Sequence, residues 1–159
     1  NLEIREVWKR WAYRPGQSAI SRPRFVGNTA VEASPARVAD SDRVIDVFLQ
    51  RLLDMSGLPP GRIALAVDGI RPELYDTDQL ASVEDAYAAV MRVHLMDRAR
   101  QQGFEVIDMQ PAFIADYRQR HLTFEFPDDN HWNATGHEVF ARAVQQSKAY
   151  RETFRAVGP

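Results

Sequence analysis

The six residues from Asp128 to Asn133 hold two carboxylates (Asp128, Asp129), an imidazole (His131) and an amide (Asn133). An Asp two or three residues before a His in a short loop can bond one ring nitrogen. That fixes the tautomer and leaves the other nitrogen free to act as a general base. An acidic, solvated loop whose His only caps or packs has the same spacing, and short Asp/His clusters are common. Two more carboxylates, Asp68 and Asp108, each end an apolar run of strand length. In a parallel α/β sheet the ligand crevice lies beyond the carboxyl ends of the strands. Asp68 and Asp108 could therefore share one rim with the Asp/His loop, or serve only as turn and cap residues. His94 falls in mid-helix and His121 just after a helix, positions that suit structural or exposed side chains. His137 could join Asp128, Asp129 and His131 around a metal, but the spacing fits none of the usual zinc patterns. The chain has no P-loop, no G-x-G-x-x-G and no G-x-S-x-G. Neither a metal nor an organic cofactor is implied.

The elements that must position these groups follow from periodicity. Ile4, Val7, Trp8 and Trp11 share one helical face. Residues 14 to 40 carry Pro15, Pro23 and Pro35 and read as a long irregular connection, with a short strand near Phe25-Val26. A helix is expected from Asp40, with Val44, Ile45, Phe48, Leu49, Leu52 and Leu53 as its apolar face and Gly57 as its stop. Ile63–Val67 reads as a buried parallel strand covered on both faces. Ser82 with Asp85 resembles a capping box opening a helix that runs to Gly103. Phe104–Asp108 is the next strand, and Pro111 to Arg120 a short helix. The Asp/His loop then leads into a last helix to about Ala156, capped by Asn133 or Thr135. This alternation predicts an α/β fold, a parallel sheet with flanking helices. Two strands are few for a complete doubly wound sheet.

At 159 residues the chain can bury a core in one domain. Its net charge of −2 gives no reason to expect nucleic acid or an anionic membrane as partner. It has no Cys, which removes disulfides, thiolate metal sites and a cysteine nucleophile from consideration. No apolar run reaches membrane-spanning length.

Three blocks carry a resemblance. They are Ile63–Val67 with Asp68-Gly-Ile-Arg-Pro, Phe104–Asp108 with Met-Gln-Pro-Ala-Phe113, and above all Pro127-Asp-Asp-Asn-His-Trp-Asn-Ala-Thr-Gly-His137. From about Val44 to Ala143 the chain resembles the C-terminal half of an SGNH (GDSL-like) hydrolase. That family's last block is Asp-x-x-His before the final helix, often continuing into an Asn and a Gly. Asp128 to His131 fits it, with Asn133 and Gly136 in place. Some relatives use an Asp two residues before the His, which here is Asp129. The family's Gly-Asp-Ser nucleophile block has no counterpart. Gly16-Gln-Ser18 follows no strand, and Gly27-Asn28 lacks the spacer of the Gly-x-Asn block. The resemblance thus implies a chain that begins after the nucleophile and oxyanion blocks, with residues 1–40 as an insertion and 41–159 as the C-terminal part of the domain.

The resemblance further implies a flavodoxin-like SGNH fold. It also implies ester hydrolysis or acyl transfer on an acyl ester such as an acetylated carbohydrate. His131 would take the serine proton, Asp128 (or Asp129) would orient the ring, and Asp68 and Asn133 would meet substrate. A non-catalytic SGNH-like domain used for binding or assembly is the alternative. Apolar surface left bare is expected to be covered by self-association or by an upstream segment of the same protein.

Overall fold

The computed structural model describes residues 31–154. The Trp8/Trp11 stripe, the strand near Phe25 and Ser18 lie outside them. The first helix, α1, spans Pro35–Ser56. It starts five residues earlier than its apolar pattern indicates. Ser34 accepts from the Arg37 N–H and Pro35 supplies a preset first-turn φ. Gly57 ends it in the left-handed region (φ 64°), its N–H returning to the Leu53 carbonyl.

A short 3-10 turn, Pro60–Arg62, leads into β1, Ala64–Val67. β1 pairs in parallel with β2, Glu105–Asp108, in the register Ala64 with Glu105 through Val67 with Asp108. The α/β class and the parallel pair are as the periodicity predicts. The fold is mostly helical, and this sheet has two strands among the described residues. Two-sided burial of β1 is not found, since Ala64 and Ala66 are exposed.

Between the strands the chain makes a 3-10 turn at Glu73–Tyr75, then α2 (Thr77–Ser82) and α3 (Tyr87–Gln101). Ser82 therefore ends a helix rather than opening one. The N-cap is Asp76, whose carboxylate accepts from the Asp78 and Gln79 N–H groups. α3 has no side-chain cap. Its start is pinned by Val31 and Glu32, with the Tyr87 N–H on the Val31 carbonyl and a bridge from Glu32 to Ala86. Tertiary contact replaces the local signal here.

After β2 come α4 (Met109–Arg120), a hairpin of β3 (Glu125–Phe126) and β4 (Asp129–Trp132), α5 (Ala134–Gln146) and α6 (Lys148–Phe154). The expected single last helix is broken at Ser147. Glu105 of β2 caps the second piece, accepting from the Lys148 and Ala149 N–H groups at 2.6 and 2.7 Å.

Two cores result. Leu49, Ala99 and Phe104 pack α1 and α3 against Leu65 and Val106. Leu74, Met109, Phe113, Phe124 and Val139 pack α4 and α5 beside Ile107. Paired residues of parallel strands share a face, so the two cores lie on opposite sides of β1–β2. Buried Asp116 fastens α4 to α5 by accepting from Arg120 Nε (2.8 Å) and Arg142 Nη2 (2.5 Å). Gly136 lets α5 start against the hairpin. A Cβ there would stand 2.6 Å from the Phe124 carbonyl oxygen and 2.9 Å from Trp132 Cβ.

Candidate active site at the strand rim

The Asp/His stretch forms a hairpin rather than an open loop. Asp128 stands in its turn, and β4 carries Asp129 and His131. The carboxylate that meets the imidazole is Asp129. Its Oδ1 lies 2.5 Å from His131 Nδ1 and also accepts from the His131 backbone N–H at 3.0 Å. An ionised carboxylate only accepts, so Nδ1 is the ring donor and neutral His131 keeps its lone pair on Nε2. The His131 backbone N–H first, and then its ring, hold the Asp129 carboxyl below the usual carboxylate range. The imidazole is 80% exposed and the Asp129 side chain 47%. The pair can accept a proton from a group that approaches out of solvent.

What holds the hairpin at the rim lies beneath it. Arg71, in the loop after β1, is buried. It reaches Asp68 Oδ2 at 2.6 Å, Glu125 Oε2 at 3.2 Å and the Asn130 carbonyl at 3.0 Å. Asn130 lies between Asp129 and His131, so Arg71 grips the backbone of the Asp/His pair itself. Trp132 Nε1 donates to Asp68 Oδ1 at 3.1 Å, and the Gly69 N–H shares that oxygen. Tyr75 donates its hydroxyl to Glu125 and accepts from the Phe124 N–H. Burial, followed by the bond to Glu125, holds the Tyr75 hydroxyl well above the usual phenol range.

Of the expected site residues, the structure brings His131, Asp129 and Asp68 into one connected group. Asp68 acts there as an anchor for Arg71 and Trp132. Asn133 is the N-cap of α5. Its Oδ1 accepts from the Gly136 N–H, and its Nδ2 donates to the Thr123 and Glu125 carbonyls. Its amide is occupied in bracing the hairpin. Asp108 caps α4 and pairs with Arg92, which also donates to the Asp68 carbonyl at 2.7 Å. His137 is exposed and lies edge-on to Trp132. His121 caps α4 in the left-handed region. His94 pairs with Asp42 of α1 at 2.8 Å.

No family model, curated protein or solved structure matches this chain.

Sequence reasoning missed Arg71, Glu125, Tyr75 and Arg92. Charged and phenolic residues in loops ordinarily read as solvated surface, and Arg71 and Glu125 are 54 positions apart in the chain. The one local signal was the Asp68-Gly-Ile-Arg71 spacing, which puts a carboxylate and a guanidinium in one turn.

Proposed function

We propose that this chain supplies the His/Asp half of an SGNH-type Ser-His-Asp site for ester hydrolysis or acyl transfer, on the flavodoxin-like fold of that superfamily. The observation that carries the reading is the pair at the rim. A carboxylate holds His131 Nδ1, which leaves Nε2 as the acceptor of a ring that is 80% exposed. In the reaction, Nε2 takes the proton of a serine as its oxygen attacks the acyl carbon, then returns it to the leaving alkoxide. Asp129 fixes the tautomer and stabilises the imidazolium. Arg71, Asp68 and Trp132 keep the hairpin in register with the strand ends. Residues 1–159 hold no Gly-Asp-Ser block, so in this reading the serine and the oxyanion donors are not among the motifs recognised in them. Acetylated carbohydrate remains the substrate class that the resemblance suggests.

The alternative is a binding or assembly domain of the same fold that lacks the nucleophile. The exposed apolar residues Val44, Val47, Phe48 and Met55 along α1 favour it. One experiment separates the two readings. p-Nitrophenyl acetate hydrolysis is measured with residues 1–159, with a chain extended upstream through any Gly-Asp-Ser block, and with His131→Ala in both. The hydrolase reading expects turnover only from the extended wild type. Robust His131-dependent turnover by residues 1–159 would move the nucleophile into this chain, with Ser18 the first residue to replace. No turnover from any form would leave the binding domain.

A further inference from the structure

A cavity of about 450 Å³ opens beside the site without including the His131 hairpin. Its walls are apolar, from Ile70, Leu80, Val83, Val90 and Val93. The volume falls in the range of small-ligand pockets, which combine apolar walls with a few fixed polar groups. Ile70 follows β1 and Gln110 opens α4 after β2, so the cavity lies at the carboxyl ends of the strands, where open α/β sheets take their ligands.

The polar groups on its wall are held from behind. Arg92 is fixed by the Asp68 carbonyl and the Asp108 carboxylate. Gln110 Oε1 accepts from the Ile70 N–H, which leaves the amide nitrogen as its donor. His94 Nδ1 is held by Asp42, so in the neutral ring Nε2 is an acceptor. The cavity thus offers a carbonyl or hydroxyl both a donor and an acceptor in fixed positions. Charge narrows the choice further. An anion would meet Glu84 on the wall and Asp108 behind Arg92. A cation would meet Arg92 as well as Glu84, while Asp108 and Asp42 are already engaged with Arg92 and His94, so the wall favours neither sign of charge. An ion would also lose hydration against the apolar walls.

We propose that this cavity is a binding site for a small uncharged amphiphile, an apolar body carrying one amide, ester or hydroxyl group. The assignment does not rest on the hydrolase reading. The test uses three probes of nearly equal size, hexanamide, hexanoate and hexylammonium, titrated into the full chain while the methyl resonances of Ile70, Leu80, Val83, Val90 and Val93 are followed by NMR. Hexanamide is expected to shift these methyls saturably, with each ion binding about tenfold more weakly or worse. Val90→Trp and Val83→Phe fill the space and should abolish the shifts; two variants are used so that one folded, filled cavity is available. His131→Ala should bind hexanamide as the wild type does, which separates this site from the hairpin. The proposal is overturned by hexanamide shifts that do not saturate or that map elsewhere, by an ion binding as tightly as the amide, or by a folded filled variant that still binds.

Discussion

Asp129 uses one oxygen for two bonds to His131, to the ring and to the backbone N–H. This makes the tautomer a local property that can be measured. Asp129→Asn should reduce the Nδ1–H tautomer in ¹⁵N spectra of the His131 ring, whereas Asp128→Asn should leave it in place. Equal loss from both substitutions would return the orienting role to Asp128. The pH sign follows from the lowered Asp129 pKa. Its contribution is present above the ordinary Asp value of 3.8 and is lost as pH falls through the lower folded value. Tyr75 runs the other way. Its hydroxyl pKa is raised, so its contribution is complete below the ordinary phenol value of 10.0 and declines as pH rises above it. Urea melts from pH 9 to 11 should show that decline in wild type and a shallower one in Tyr75→Phe. Arg71 and Glu125 are the costly pair, their side chains only 5% and 9% exposed. Arg71→Ala leaves the buried Glu125 carboxylate with the Tyr75 hydroxyl but without its cation, and should cost about 3–5 kcal/mol in urea unfolding. A loss below about 1 kcal/mol, the usual worth of an exposed pair, would mean that water reaches Glu125.

At the scale of elements, the apolar runs were legible and the polar starts were not. β1 and β2 were read to within a residue because Ile63–Val67 and Phe104–Asp108 are short apolar runs bounded by turn residues. The end of α1 was read from Gly57. Its start was not, because Ser34-Pro35 precedes any apolar periodicity, and Val44 and Phe48 turn out to face solvent. Ser82 and Asp85 match a capping box, yet the start of α3 is fixed by the backbone of Val31 and Glu32. The hairpin was illegible because Asp129-Asn-His-Trp has no alternation of apolar and polar residues. Tertiary bonds from Arg71 and Trp132 make it a strand. Gly136 shows how closely that hairpin and α5 are fitted. Gly136→Ala should cost about 1–3 kcal/mol, because the methyl meets backbone oxygen and the root of Trp132 rather than a mobile side-chain tip. A near-neutral melt with unchanged Trp132 fluorescence would show that the helix start has room to move.

For the molecule as a whole, the apolar stripe of Val44, Val47, Phe48 and Met55 gives α1 an exposed apolar face beside the one that packs the Leu49 core. Large bare patches on stable monomers are uncommon. Residues 1–159 should therefore self-associate with rising concentration in sedimentation velocity, and Val47→Asp with Phe48→Asp should suppress it. A wild-type chain that stays monomeric at high concentration would show that the stripe is tolerated as it stands.

The open side of β1 can be read through amide exchange. The Glu105 N–H bonds the Ile63 carbonyl, so by alternation Leu65 and Val67 turn their peptide groups toward β2, while Ala64 and Ala66 turn theirs outward. Among the described residues no strand lies on that outer side. In residues 1–159 the Ala64 and Ala66 amides should exchange with solvent far faster than those of Leu65 and Val67. In a chain extended upstream by a further strand of the sheet, the same two amides should become slow. Two alanines would then report whether a further strand has joined the sheet, without any assay of function.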